Sequence, residues 1–437
     1  MRRVLFTVFL VVMVPLLAFA GGQGDKAGGL KGSITVWGCF TELEKPLQKA
    51  TQIFTAENPA VKVEVLVFDL RDFEAKVGAT APVGQAADII VMDHSLTNRY
   101  AQAKILATAP AEIEKWVKTP GRYLPIVPGK ASYQGKVVGV PFFGGMPALF
   151  YNKDYFAEAG LKEPPKTVSE VYDYAVKLRK MDATGKLTRA GYSIRLTGPT
   201  GGTQKFAFFS NQTLGQDVVV DGKQPGTYHA NLDNEESAKM LQYYVKLLHG
   251  KDKSDDWALK HDAEGFAAGE VAMFMRESWV VPLMKDKGPK INYDIAYQPR
   301  DKFWRIYDWS VNACVPESGK QKAAAWAYTK VMQQKEVMEV LFTDSGWIPS
   351  RRDIVFKEIL AQEPRFKVYI DYPKGAEIYF ETSSLGYTEI WTKAGEIIQA
   401  GFRDAGLLNN LPGCRAVMKN ANDVADEILK SVNEFGM

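Results

Sequence analysis

Ser33–Phe68 reads SITVWGCFTELEKPLQKATQIFTAENPAVKVEVLVF, and its three parts decide the fold. SITVW (Ser33–Trp37) is a β-branched run with the composition of a buried strand. Glu42 to Glu57 then carries Leu43, Leu47, Ala50, Ile53 and Phe54 at helical spacing on one face. Asn58-Pro59 stops the helix, because the residue before a proline is pushed out of the helical region. VKVEVLVF (Val61–Phe68) is a second strand. Asp72 to Val77 has a helical pattern, and Asp88–Met92 (DIIVM) is a third strand. Apolar strands alternating with helices predict an α/β fold whose parallel sheet is covered on both faces.

The same alternation extends down the chain. Lys136–Pro141 (KVVGVP) and Ala148–Tyr151 (ALFY) are strand-like. Thr167 to Met181 is a capped helix in which Thr167 is the N-cap and Glu170 its capping-box partner. Val171, Tyr174, Ala175 and Leu178 form its apolar stripe. Glu235 to Leu248 is a second amphipathic helix. A helix ends at Phe266–Glu270, and Val271–Met275 (VAMFM) is a strand. Lys320 to Gln333 and Asn420 to Glu434 are further helices. There is no internal repeat and no polar tether, so short strands are expected to join the domains. At 437 residues the chain exceeds what one core usually supports, and about two domains are expected.

Bulk properties narrow the function. A content of 46% hydrophobic and 12% aromatic residues suits a packed globule rather than a disordered chain. Met1-Arg2-Arg3, the apolar run Val4–Leu17 and the small-x-small Ala18-Phe19-Ala20 have the order of a cleavable secretory signal, residues 1–20. Residues 21–32 are glycine-rich and read as a flexible lead-in. No cysteine follows the cut to carry a lipid, so a soluble periplasmic protein is expected. The formal net charge of +3 falls to +1 once Arg2 and Arg3 leave, which argues against nucleic acid as the partner. Cys39, Cys314 and Cys414 fit no metal or redox spacing. Their odd number leaves at least one free, and buried small apolar residues are the simpler reading, with a disulfide between two of them left open.

Catalytic motifs are missing from the sequence. His94, His229, His249 and His261 lack zinc spacing. There is no G-x-S-x-G elbow, Walker loop or G-x-G-x-x-G after a strand. Gly198-Pro199-Thr200-Gly201-Gly202 lacks the lysine of a phosphate loop and reads as a turn. Carboxylates are plentiful, so a glycosidase pair stays open as an alternative. Aromatic residues stand instead at strand ends and in loops: Trp37, Phe142, Phe143, Trp279, Trp309 and Trp347. Ligands of open α/β sheets bind outside the carboxyl ends of the strands. An aromatic ring there offers a flat face to the C–H side of a sugar, although such rings are as often core. Trp116, Trp257, Trp304 and Trp326 stand in helical or less suggestive contexts and are read as structural.

Several segments together resemble extracellular solute-binding protein family 1, the maltose-binding-protein-like sugar receptors of ABC importers. The carriers are Ile34–Trp37, Asp88-Ile89-Ile90 with Tyr100-Ala101-Gln102, and Gly139-Val140-Pro141 leading to Tyr151-Asn152-Lys153-Asp154. Phe266–Met273 (FAAGEVAM) followed by Trp279, and Gly346–Arg351 (GWIPSR), complete the set. The resemblance implies a two-lobed periplasmic binding fold of type II, each lobe a mostly parallel sheet flanked by helices. It places residues 33–143 with 304–348 in lobe 1, and 144–303 with 349–437 in lobe 2, joined by a hinge. It implies a monomer that closes on a carbohydrate and delivers it to permease subunits, with no catalysis, cofactor or metal.

The resemblance also carries site residues. Trp279 matches the family's stacking tryptophan, with Glu277 beside it. Trp37, Phe40 and Glu42 match a ligand-contacting region. Met92, Ser95, Leu96 and Gly145 stand where the maltose-binding members carry recognition residues, so Asp93 and His94 become the expected polar readers. Asp93 could equally cap a helix, and His94 could be a satisfied surface histidine. Arg351 could clamp an anion, which would favour glycerol phosphate or another phosphodiester or polyol as ligand, or it could be a solvated charge. Tyr387 and Trp391 belong to a region that can close the cleft, and Met275-Arg276 reads as packing plus surface.

Overall fold

The computed structural model describes residues 29–196, 201–260 and 262–437. The expected signal peptide, most of the lead-in, residues 198–200 of the glycine-rich turn and His261 lie outside the described residues. Strands β1 (Gly32–Gly38), β2 (Val61–Val67) and β3 (Ile89–Asp93) run parallel, β1 between the other two. Helix α1 (Glu44–Glu57) joins β1 to β2 and buries Leu47, Ala50 and Phe54. Helix α2 (Leu70–Thr80) follows β2 and buries Phe73 and Val77. Asp88 fastens the entry to β3 onto β1: its Oδ2 accepts the Thr35 N–H at 2.9 Å, and its own N–H donates to Thr35 Oγ1 at 3.1 Å.

Helix α3 (His94–Gln102) leaves the end of β3, and strand β4 (Gly139–Gly144) re-enters the sheet. The chain then crosses to β5 (Ala148–Asn152) in a second sheet. Helices α4 (Val168–Leu178), α5 (Gly201–Leu214) and α6 (Glu235–Leu248) cover that lobe. Gly201 and Gly202 thus open a helix, where a turn was expected. The capping box of α4 is formed, but Arg179 is extended, so Lys180 and Met181 pair in a short strand instead of prolonging the helix. Strand β6 (Met273–Arg276), helix α7 (Val280–Lys287) and strand β7 (Tyr293–Ala296) follow. The chain returns through β8 (Arg305–Tyr307), β9 (Ser310–Cys314) and β10 (Ile348–Pro349). It ends with β11 (Glu377–Tyr379), α8 (Tyr387–Arg403) and α9 (Leu411–Ser431). Helix α9 starts nearer Pro412 than the periodicity suggests, because the Asn410 side chain caps it by accepting the Gly413 N–H.

The first sheet has the order β10-β4-β9-β3-β1-β2. Its β1–β3 half is parallel as expected. The other half alternates in direction, because β9 and β10 return to the sheet that β4 leaves and run against it. The second sheet, β6-β5-β7, is antiparallel in both pairings, and parallel bridges from Ala190 and Ser193 to the β6 segment extend it. The expectation of a mostly parallel second sheet is corrected accordingly: β5 enters from the crossing and not through a helix, so nothing forces its neighbours to run with it. Two hydrophobic clusters form the core, the second sheet placing Phe150 and Phe274 in one and Leu149 and Met273 in the other, and Trp309 packs against both. Cys39, Cys314 and Cys414 are all free and buried. Among the described residues no helix is long and apolar enough to cross a membrane.

Candidate ligand-binding cavity

The strand ends of the two lobes face one another across a cavity of about 650 Å³, within the range of roughly 300–1,000 Å³ typical of small-molecule sites. One wall is aromatic. The turn after β1 puts Phe40 at its rim, and the ring stacks on Trp347 with centroids 5.4 Å apart. Trp309, just before β9, stands edge-on to Trp347 at 5.3 Å and to Phe40 at 6.1 Å. Phe143 is fully buried behind them, 5.3 Å from the Trp347 ring. Trp347 Nε1 is a buried donor with no protein partner. Trp279, half-buried at the start of α7, lies under the Arg276 guanidinium at 4.7 Å. Flat rings suit the apolar faces of a ligand.

A second part of the lining is charged. Arg195 and Arg276 both reach Asp262 Oδ2 at 3.4 Å, so one carboxylate is shared by two guanidiniums. Arg195 and Asp262 both hold left-handed backbone, φ 55° and 58°, a conformation that costs energy in non-glycine residues and recurs at functional sites. Behind them Lys205 Nζ on α5 lies 3.4 Å from Glu277 Oε1, with both side chains buried. Burial alone would raise the Glu277 carboxyl, but Lys205 and then Arg276 more than offset it and hold it at about 2. Lys205 moves down to about 8, chiefly through burial and with the repulsion of Arg276 and Arg195 added, which the Glu277 and Asp262 carboxylates do not offset.

That asymmetry gives a pH prediction. Glu277 is depressed from its ordinary 4.5, so its stabilisation is complete above about pH 4.5 and is lost as pH falls towards 2. Between pH 7 and pH 3 the parent protein should lose about 2 kcal/mol more than Glu277→Gln, read from urea unfolding at each pH. Parallel losses in the two proteins would refute this.

The third group lies at the other end of the cavity. Asp93 caps α3 by accepting the Ser95 N–H at 2.7 Å, and it also lines the cavity. Glu381 accepts the Tyr307 hydroxyl at 2.6 Å, and Tyr387 donates to Asp217 at 3.4 Å. Burial raises Asp217 to about 6. Burial first, then the charge of Asp93, carries Glu381 well above the carboxylate range.

Of the expected site residues, Phe40, Glu42, Asp93, Glu277, Trp279, Trp309 and Trp347 line one cavity. Trp37, His94, Phe142, Phe143 and Arg351 do not. Strand alternation turns Trp37 under α2, where it meets Phe68 edge-on at 5.9 Å and Lys76 sits over its ring. His94 is the first residue of α3 and is fully buried beneath the carboxylates. Phe142 and Phe143 are core. Arg351 is spent on Asp353, through two bonds of 2.8 Å, and on the Gln333 carbonyl, which removes the anion clamp expected of it. Arg276 was read as surface and in fact lines the cavity, as do Arg195, Asp217, Tyr379 and Glu381. No motif marks these. The only signal was the neighbourhood of Arg276 to Glu277 and Trp279. Tyr387 and Trp391 also line it.

Two lobes enclosing one aromatic and charged cavity define a solute-binding protein. The bacterial extracellular solute-binding protein model matches residues 49–368, and the chain belongs to that family. The chain is 23% identical to the diacetylchitobiose binding protein of Streptomyces coelicolor, over 80% of this chain and 82% of that one. It is 27% identical to the sn-glycerol-3-phosphate-binding periplasmic protein of Escherichia coli (strain K12), over 60% of this chain and 59% of that one. The crystal structure of an ABC transporter solute-binding protein from Thermotoga lettingae, bound with α-D-tagatose, shares the fold. Its TM-score is 0.75 at 23% identity, covering 91% of this chain and 99% of that one.

Proposed function

We propose that this protein is the receptor of an ABC importer that captures a carbohydrate between its lobes and delivers it, unaltered, to a membrane permease. The observation that carries this is the pairing, in one cavity, of the Phe40–Trp309–Trp347 wall and Trp279 with a wall of arginines and carboxylates. Rings take the C–H faces of a sugar, and the charged groups take its hydroxyls. The ligands named for the Streptomyces and Thermotoga proteins are sugars, which supports the reading. In this reading residues 33–143 with 304–348 form lobe 1, residues 144–303 with 349–437 form lobe 2, and the chain acts as a periplasmic monomer. Phe40, Glu42 and Asp93 hold the sugar from lobe 1, and Glu277 and Trp279 hold it from lobe 2. Closure is a population shift that a ligand touching both lobes drives, and the closed form is the one the permease engages.

A thermal-shift panel of mono- and oligosaccharides, polyols and phosphodiesters tests it. A bound sugar at a hundred times its dissociation constant should add about 2.7 kcal/mol. Trp279→Ala should remove that gain and leave the free protein's unfolding cooperative. A panel in which only phosphodiesters stabilise the fold, or in which chromatography finds cleaved oligosaccharide, would sink the proposal.

A further inference from the structure

The cavity is lined by seven carboxylates, among them Asp93, Asp217, Glu277 and Glu381, against three guanidiniums. The three arginines all have acidic partners: Arg71 pairs with Glu74, and Arg195 and Arg276 share Asp262. Among the described residues no Lys or Arg side chain is ion-paired with Asp93, Asp217 or Glu381. The nearest ammonium, on Lys130, donates to the Glu381 backbone carbonyl at 2.7 Å and to Ser383 Oγ at 3.3 Å. His94 lies beside Asp93 and Glu381. It is fully buried, with Nδ1 3.4 Å from Asp93 Oδ1 and Nε2 3.8 Å from Glu381 Oε1, and neither ring nitrogen has a hydrogen-bond partner. Burial pushes the imidazole down to about 4, so at neutral pH it offers one lone pair and one N–H.

We propose that this Asp93–Asp217–Glu381 pole, floored by His94, is an ammonium-binding subsite, and that the solute is therefore a sugar carrying a free primary amine. The inference rests on the carbohydrate reading above. Three carboxyls crowded in a partly dry site resist ionising together, and Lys130, whose charge reaches all three, has its hydrogen bonds spent on the Glu381 carbonyl and Ser383. An ammonium brings three donors and a second positive charge that lets them ionise, whereas sugar hydroxyls supply donors but no charge and leave the repulsion in place. Tyr307, Tyr379, Tyr387 and Trp391 also line the cavity.

The test is calorimetric titration at pH 7 with β-1,4-linked glucosamine oligomers, their N-acetylated counterparts and the unsubstituted glucose oligomers. The aminated oligomer should bind at least tenfold more tightly than the other two, and the preference should collapse in Glu381→Gln and in Asp217→Asn. Unliganded melts of both variants show that they fold. Equal or tighter binding of the neutral oligomers overturns the ammonium subsite and leaves the receptor reading standing. No response to any sugar removes both. A parallel titration of chelator-treated protein with Zn²⁺ covers the other cation this donor set could hold: micromolar binding that His94→Gln abolishes would reassign the pole to a metal and overturn the proposal.

Discussion

Lys205→Met should cost about 3 kcal/mol of unfolding free energy, the low end of what removing one partner of a buried ion pair costs. Methionine keeps the length and apolar stem of lysine, so packing is nearly preserved and the loss is electrostatic. Glu277 would remain buried with its charge, and Arg276 Nε at 3.6 Å from Oε2 would be its nearest cation. A double variant, Lys205→Met with Glu277→Gln, removes the stranded charge and should recover roughly 1 kcal/mol or more relative to the single variant. Urea unfolding of the parent, the single and the double variant decides it. A single variant as stable as the parent would mean that solvent reaches Glu277. A double variant less stable than the single one would mean that the two side chains do not interact.

Periodicity made the first lobe legible. Strands β1, β2 and β3 and the helices between them follow from β-branched runs and a five-residue apolar stripe, because those patterns are local and each element buries one clear face. The antiparallel half of that sheet was not legible. Strands β9 and β10 take their direction from where the chain returns after the second lobe, and no local pattern encodes that. The cavity divides in the same way. Trp279, Trp309 and Trp347 stood out as aromatics at strand ends and in loops, Phe40 came only from the family resemblance, and all four line it. Trp37 shared that sequence context yet faces the core, since one step along a strand reverses the side chain. Arg195, Asp217 and Glu381 come from segments far apart in the chain, and Asp262 bridges two arginines separated by 81 positions, Arg195 to Arg276. A charge pair of that kind exists only after folding, so nothing in the sequence around either arginine announces it.

Gly144→Ala should be the more damaging of the two substitutions, costing more than about 4 kcal/mol, a size that single changes reach only through a defined steric or electrostatic fault. Gly144 ends β4 between two partners, opposite Ser310 on one side and Ile348 on the other. A Cβ there would overlap the Trp309 carbonyl oxygen and lie 3.2 Å from its carbonyl carbon, and both are backbone atoms that no rotamer change can move. The same carbonyl accepts the Gly145 N–H at 3.3 Å, so pushing it aside also loosens the first residue of the crossing to the second lobe. The strand that must shift is the one led by Trp309, so the damage spreads directly into the aromatic wall. Affinity for whichever sugar stabilises the parent should fall along with stability. Gly129→Ala is the control: it lies in the short helix Val127–Lys130 and a Cβ there meets nothing within 4 Å, so its stability should stay within about 1 kcal/mol of the parent. If Gly144→Ala unfolded at the same urea concentration as Gly129→Ala, β4 and β9 could not be packed as closely as the structure has them, and the aromatic wall would lose its fixed support.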